Sequence, residues 1–116
     1  MDLWYTARGI SVPPASALPK IGFIVDNIAA GFLYQTDSSV TLLEGFITNQ
    51  DTTQAERDAG LDQIVKALMA EADTLGATTV LAMTQSQAIY NRACKFGFSD
   101  IGAFQLLTKA LHKERD

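Results

Sequence analysis

The sequence predicts an α/β protein (α+β in arrangement) whose central sheet is mixed, mostly antiparallel and packed by helices. Three short β-like runs follow one another between residues 21 and 48, with turn-forming residues between them. A long helical pattern and a β-branched run come next, and a strand–helix–strand unit normally places its two strands parallel in one sheet. A second helical pattern and a last apolar run complete the order. The 116 residues are predicted to form a single domain (1–116), since this length buries one core.

The first 20 residues are predicted to be an irregular N-terminal segment. Pro13, Pro14 and Pro19 exclude a regular helix or a central strand from much of it. Trp4 and Tyr5 leave two alternatives open, because they could either begin a short strand or anchor the terminus on the core.

The next segment predicts a β-hairpin followed by a third strand. The runs Ile21 to Val25 and Ala30 to Tyr34 are apolar, and Asp26-Asn27 between them tolerates turn geometry. The third strand extends from Val40 to Thr48. Alternation of side chains along it predicts two covered faces, as in a sheet packed by helices. One face carries Val40, Leu42, Glu44, Phe46 and Thr48, and the other carries Leu43 and Ile47.

A long helix is predicted after the third strand. Thr53 and Glu56 form a capping box, in which each side chain accepts a hydrogen bond from the other residue's backbone N–H. Gly76 supplies a left-handed C-terminal cap, and Ala77 to Thr84 is predicted as the fourth strand. The helical spacing is carried by Leu61, Ile64, Val65, Leu68, Ala72 and Leu75.

The C-terminal part predicts a helix and a last strand. The helix extends from about Ser86 to Lys95 and ends at Gly97. The strand extends from about Phe104 to Leu111. The charged residues 112–116 are predicted to be an exposed tail.

Composition narrows the class of protein. The net charge is −4 and no Lys/Arg cluster occurs, so we expect no nucleic-acid partner. No signal peptide and no apolar run of membrane-spanning length is visible, so we expect no membrane association. The single cysteine, Cys94, cannot form an intrachain disulfide, and this favours a reducing, cytoplasmic location. The sequence contains no cluster of His, Cys and Asp residues, so we expect no metal site.

Three motifs carry a family resemblance. The string Ala30-Gly31-Phe32-Leu33-Tyr34 resembles a strand with the pattern xxGfxxl, and Arg57 to Asp62 resembles the cofactor motif R/Q-x-x-G-x-G/A. Gln85 to Phe98 ends in Lys-Phe-Gly-Phe and resembles the pattern N-x-x-A-x-x-x-Y-x-k-x-G-F. Together they make residues 21 to 111 similar to the GCN5-related N-acetyltransferase (GNAT) family. The short N-terminus also resembles small phage-encoded members, which would place the protein in a host cytoplasm.

The resemblance implies that acetyl-CoA is the cosubstrate. Its pantetheine arm would enter where the third strand splays from the fourth, and the backbone of Phe46, Ile47 and Thr48 would pair with the cofactor's amides. Gly45 is predicted to mark the bulge that opens the splay, because glycine inside a strand often marks a bulge or a close approach.

The same resemblance implies contacts for the rest of the cofactor. The pyrophosphate would bind at the N-terminus of the first long helix, where free N–H groups and the helix dipole attract an anion. Arg57 and Gly60 belong to that motif, and Asp62 stands in place of its last small residue. Gln85 would contact the cofactor from the end of the fourth strand, or it is simply a polar residue before a helix.

Two residues are candidates for catalysis. Glu44 lies near the family's general base and would deprotonate a primary amine that attacks the thioester directly. Its alternative is a side chain that points to solvent or pairs with a lysine. Tyr90 is the candidate acid, although it lies one turn before Ala93, which occupies the position where the family has its tyrosine.

Two functions from different classes remain, besides a third possibility in which acetyl-CoA binds as an effector and no acetyl group is transferred. The first is an acetyl-CoA-dependent N-acetyltransferase that acts on an amine-bearing small molecule or protein. The second is a catalytically degenerate module of the same fold that binds a partner protein, favoured by Asp62, by Ala93 and by the short N-terminus. A homodimer is a candidate assembly for either function.

Overall fold

The computed structural model describes residues 1–111, and the chain divides into two compact units, Met1–Thr84 and the part that begins at Gln85. The first unit contains a sheet with helices, and the second, as far as Leu111, contains one helix followed by irregular chain. The prediction of a single domain stays a prediction. No helix within residues 1–111 is long and apolar enough to cross a membrane.

Four strands form the sheet of the first unit in the order β1-β2-β3-β4. They are β1 (Ile21–Val25), β2 (Ala29–Gln35), β3 (Val40–Thr48) and β4 (Thr79–Leu81). The first three pair antiparallel, and β4 pairs parallel to β3. The mixed, mostly antiparallel sheet is therefore confirmed.

The predicted hairpin joins β1 to β2. Asp26 adopts a positive φ of 45°, a conformation that Asp tolerates better than most residues. The Ile28 N–H donates to the Val25 carbonyl at 3.0 Å and closes the turn. The strand bounds agree with the sequence prediction to within one residue at each end.

A bulge at Gly45 changes the faces of β3. The register pairs Ala30 with Ile47 but Phe32 with Glu44, so two residues of β3 oppose one residue of β2. Because Ala30 and Phe32 share a face, Glu44 and Ile47 share that face too. The predicted bulge is confirmed. The prediction that placed Glu44 and Ile47 on opposite faces is wrong, because simple alternation does not allow for the extra residue.

Helix α2 (Gln54–Thr74) covers one face of the sheet. The capping box is present, since Glu56 N–H donates to Thr53 Oγ1 at 3.1 Å and Thr53 N–H donates to Glu56 Oε1 at 2.9 Å. The predicted left-handed cap at Gly76 is confirmed by its φ of 85°. The inner side of α2 meets β2, and fully buried side chains there include Leu33, Ile64 and Leu68.

The opposite face is covered in part by a helix that the sequence analysis missed. Helix α1 (Asp2–Ala7) buries Trp4 and Tyr5 against Ala30 and Ile47. The prediction of an irregular segment throughout residues 1–20 is wrong, because the prolines begin only at residue 13. Of the two alternatives for the aromatic residues, anchoring on the core is confirmed.

Strand β4 is shorter than predicted. Its ladder with β3 covers Thr79–Leu81, preceded by a bond of 2.8 Å from the Thr78 N–H to the Ser39 carbonyl. The predicted strand continued to Thr84. Beyond the end of β4, the Met83 N–H donates to the Glu44 side chain of β3 rather than to the β3 backbone.

The second unit confirms one prediction and corrects another. Helix α3 (Gln87–Lys95) is capped by Ser86 and ends at Gly97, whose φ is 91°. The strand predicted for Phe104 to Leu111 is wrong, because no strand is present there and strand-forming residues need a neighbouring ladder to pair with. Large apolar side chains of this segment are exposed, namely Ile101, Phe104, Leu106, Leu107 and Leu111. The tail at 112–116 lies outside the described residues.

Candidate functional site

The centre of the candidate site is the point where β3 and β4 stop pairing. Their backbone ladder ends at Leu42 opposite Leu81, while β3 continues to Thr48. Just beyond the ladder, Glu44 Oε1 accepts a hydrogen bond from the Met83 N–H at 3.1 Å. A carboxylate side chain thus lies between the strands where a backbone pair would otherwise form. Beyond Leu42, β3 has no β4 residue opposite it, and the Thr48 carbonyl at its end is bonded by Arg8.

Glu44 is half-buried and its side chain has a defined partner. The hydrogen bond from Met83 fixes one carboxylate oxygen, and Phe32 stands opposite Glu44 on β2. This differs from the alternative of a side chain that simply points to solvent or pairs with a lysine. The second oxygen is the one that a proton-transfer role would use.

Aromatic side chains crowd the Gly45 bulge on the face of the sheet opposite α2. Gly45 has a φ of 74°, which a residue with a Cβ adopts only with strain. A Cβ at this position would lie 3.0 Å from the Phe32 ring and 3.7 Å from the Tyr34 hydroxyl oxygen. Glycine therefore allows both the turn of the backbone and the close approach of two aromatic side chains.

The three residues predicted to pair with the cofactor follow this bulge. The Phe46 ring lies over Gly31, where a Cβ would be 2.6 Å away, and Ile47 is buried under α1. The Thr48 carbonyl accepts hydrogen bonds from Arg8 Nε and Nη2, each at 3.4 Å, and Arg8 also bonds the Thr48 hydroxyl. The end of this strand is thus held in place by α1 and the residue that follows it.

Some of the backbone N–H groups at the N-terminus of α2 that could bind an anion are already hydrogen-bonded. The capping box occupies the N–H groups of Thr53 and Glu56. The hydrogen bonds that Thr53 makes to the Glu56 carboxylate, first that from its backbone N–H, hold the pKa of the Glu56 carboxyl below its usual value. A charged carboxylate at this helix end competes with a phosphate for the remaining N–H groups.

Arg57 is the cation of this helix end. Its guanidinium donates to the carbonyls of Gln50 and Thr52 and, at 3.2 Å, to Gln54 Oε1. These bonds tie the loop after β3 to the first turn of α2. Since a guanidinium has five N–H donors, Arg57 can make these contacts and still face an anion.

Gly60 and Asp62 lie inside α2 and form no glycine-rich loop. A Cβ at Gly60 would lie 3.0 Å from Ile28, so this glycine allows α2 to pack closely on the hairpin. Asp62 follows Gln54 by eight residues, about 12 Å along the helix axis at the usual rise. Its carboxylate therefore stands well away from the helix N-terminus, where a phosphate would bind.

The other predicted residues belong to the second unit. The Tyr90 hydroxyl donates to Asp100 Oδ2 at 3.1 Å, and this hydrogen bond raises the pKa of the Tyr90 phenol. Gln85 directly precedes Ser86, the N-cap of α3. Thus Glu44 and Phe46 to Thr48 come together on β3, Arg57 and Gly60 lie on α2, and Gln85 and Tyr90 belong to the second unit.

The sequence analysis missed two residues near β3. Arg8 lies in the segment predicted to be irregular, and its contact with Thr48 joins positions far apart in the chain. Tyr34 was noted only as part of a strand motif, while its hydroxyl lies at the Gly45 bulge. No local sequence signal indicates a role for Arg8. Tyr34 could have been found from the predicted bulge at Gly45, because the neighbouring strand carries two aromatic residues.

Metal chemistry has no cluster of ligands in the described residues. Within residues 1–111, no group of three or more His, Cys, Asp or Glu side chains is placed to hold a metal ion. The sequence-based expectation of no metal site stays a prediction.

Comparison with known proteins gives a likeness in fold. No protein-family profile matches the chain, and no curated protein matches it in sequence. An acetyltransferase from Trypanosoma brucei has a similar structure, with a TM-score of 0.52 and 17% sequence identity over 70% of this chain. The match covers 57% of that protein's chain, so this chain spans less than two thirds of its length. This likeness supports an acetyltransferase-like fold over the matched part of the chain, and the resemblance to phage-encoded members stays a prediction.

Proposed function

We propose that the chain is an acetyl-CoA-dependent N-acetyltransferase that moves an acetyl group directly to a primary amine of a small molecule or protein. The observation that carries this proposal is the opening between β3 and β4, where the ladder ends, Gly45 forms a bulge and Glu44 supplies a carboxylate. The acetyltransferase-like fold supports the same reaction class.

Acetyl-CoA supplies the activated acetyl thioester in this reaction. The open edge of β3 suits the pantetheine arm, because an extended chain with amide groups can pair with a strand edge as another strand would. Arg57 at the start of α2 offers a cation for the pyrophosphate, while the capping box and Glu56 weaken that end of the site.

The residues around the bulge have distinct roles in the proposed reaction. Glu44 accepts the proton that the attacking amine loses, through the oxygen that does not bond Met83. Backbone N–H groups at the Gly45 bulge would stabilise the thioester carbonyl oxygen as it becomes negative. The rest of the catalysis comes from holding the two reactants together.

The first experiment is calorimetric titration with acetyl-CoA, and with free CoA as the comparison. We expect saturable binding at micromolar affinity. Thiol release is then measured with Nα-acetyl-lysinamide and with glycinamide, which present a side-chain and an α-type amine. Absence of binding at millimolar cofactor would contradict the proposal.

The matched variants for this test are Glu44→Gln and Asp73→Asn. Glutamine keeps an oxygen for the Met83 N–H but cannot take up the amine proton, so we expect kcat to fall by about 10²-fold or more. Asp73 is an exposed carboxylate near the end of α2, and its variant should keep full activity. Equal activity of all three proteins would show that Glu44 is not the base.

A second function is favoured by the exposed apolar side chains in the second unit. Five large ones occur between residues 101 and 111, and Leu107 is 86% exposed. Contiguous exposed apolar surface often marks an interaction site. The alternative is therefore a module of this fold that binds a partner protein or a second copy of itself, and it requires neither acetyl-CoA binding nor transfer.

A further inference from the structure

The Tyr34 hydroxyl stands beside the Gly45 bulge and carries a chemical group that the proposed mechanism still lacks. It lies 3.7 Å from the position of a Cβ at Gly45. Tyr34 pairs with Leu42 in the register, and Glu44 is the diagonal neighbour on the same face. Diagonal neighbours on a sheet lie within reach of an aromatic side chain. Tyr34 and Glu44 therefore lie on the same face of the sheet, on neighbouring strands, and the Tyr34 hydroxyl lies beside Gly45, the residue after Glu44.

Two other aromatic side chains lie near Tyr34 or near the same bulge. Phe32, on the same face, approaches Gly45 more closely still. Tyr5 of α1 is near enough that Tyr34 contributes to a raised pKa of Tyr5, for which burial is the larger cause. Tyr34 itself is half-buried.

We propose that Tyr34 is the catalytic acid of the acyl transfer, an inference that rests on the proposed N-acetyltransferase function. As the amine nitrogen bonds the acetyl carbon, its proton passes to Glu44. As the carbon–sulfur bond breaks, Tyr34 gives its hydroxyl proton to the sulfur. The proton on Glu44 then restores the phenol, directly or through water. The sum is one amine and one thioester converted to one amide and one thiol, with no other reactant.

The sequence-based candidate for this acid, Tyr90, is less suited to it. Its hydroxyl proton is directed to Asp100 at 3.1 Å, and this carboxylate makes the phenol a weaker acid. Tyr34 instead belongs to the same unit as Glu44 and the bulge.

The test compares Tyr34→Phe with Tyr90→Phe in the full chain. Phenylalanine keeps the ring and removes only the hydroxyl, and thermal unfolding verifies that each variant is folded. With acetyl-CoA and the amine acceptors named above, we expect Tyr34→Phe to lower kcat by about 100-fold or more and to leave the calorimetric affinity for acetyl-CoA unchanged. Tyr90→Phe should remain within about threefold of the wild-type protein.

A second substrate separates acid catalysis from positioning. S-phenyl thioacetate releases a thiolate that is weakly basic and leaves without a proton. If Tyr34 is the acid, the loss in kcat/KM on Tyr34→Phe should be small with this ester and large with acetyl-CoA. An equal loss with both esters, or full activity of Tyr34→Phe with acetyl-CoA, would overturn the assignment.

The outcomes also separate the two proposals. A wild-type protein that transfers acetyl groups while Tyr34→Phe does so equally well keeps the proposed function and removes the role of Tyr34. A wild-type protein that releases no thiol with either amine overturns the proposed function, and the role of Tyr34 with it.

Discussion

Gly45 determines which side chains share a face of β3, and through this the composition of the candidate site. Its positive φ introduces the extra residue that brings Glu44 to the same face as Ile47. Without the bulge, Glu44 and Tyr34 would still share a face. The residues of β3 after Gly45 would, however, exchange faces, so that Ile47 would point away from α1. One residue thus connects the site to the contact between β3 and α1.

We expect Gly45→Ala to lower the free energy of unfolding by about 1–3 kcal/mol. A left-handed conformation costs an alanine about 1–2 kcal/mol, and its Cβ would crowd the Phe32 ring. Urea unfolding measures the change.

Gly76→Ala is the matched control for that variant. Gly76 has a φ of 85° and open space around its Cβ position, so the control carries the conformational strain without the crowding. Acetyl-CoA binding should weaken for Gly45→Ala alone. Equal affinities in the two variants would show that the bulge does not contact the cofactor.

Helix α2 is fixed at its start by side chains that would also affect binding of the proposed cofactor. The capping box and the Arg57 contacts define the first turn and the loop before it. The same capping groups supply a negative charge where an anion would bind. The element therefore gains stability from a feature that weakens phosphate binding.

The charge of Glu56 gives this end of α2 a pH dependence. Its pKa is lowered in the folded protein, so on acidification the unfolded chain takes up the proton first and protonation favours unfolding. The contribution is present above the usual pKa of 4.5 and is lost as the pH falls through the lower, folded pKa.

Glu56→Gln tests this sign. Glutamine can still accept the Thr53 N–H but does not titrate, so its unfolding free energy should depend less on pH. Urea unfolding of both proteins at about pH 7 and about pH 3 should show the wild-type advantage only at the higher pH. A difference that stays constant between the two would contradict the assignment.

At the scale of the whole molecule, local sequence signals predicted most elements. The capping box, the glycine caps, the hairpin and the bounds of β3 each depend on neighbouring residues. The bulge followed from a single glycine in an apolar strand. These features were confirmed because little outside their own segment decides them.

The remaining features depend on contacts between distant residues. Helix α1 has six residues, which is too short for helix propensity alone to make it stable. Packing of Trp4 and Tyr5 on the core stabilises it. The prediction of the last strand was wrong because an apolar run forms a strand only when it can pair with a neighbouring strand. In the site, Glu44 could be singled out from its polarity, while its bond to Met83 and the place of Tyr34 required the fold.

The exposed C-terminal segment offers a prediction for the whole molecule. Leu107→Asp should change the unfolding free energy of the monomer by about 0.5 kcal/mol or less, because this side chain is exposed. Leu68→Ala, at a fully buried position of α2, should cost about 2–5 kcal/mol.

Light scattering gives the second readout for Leu107→Asp. If the segment joins two copies, the variant should shift mass from dimer to monomer, whereas Leu68→Ala should not do so selectively. Identical masses for wild type and Leu107→Asp would argue against an interface between copies at this residue.

The short parallel strand also has a consequence for the order in which the sheet assembles. The antiparallel strands join close neighbours in the chain, but β4 reaches its place only after the whole of α2 has been crossed. Closing that long loop gains three residue pairs and the bonds of Thr78 and Met83. The strand that borders the candidate site is therefore expected to be the last to join the sheet and the first to leave it.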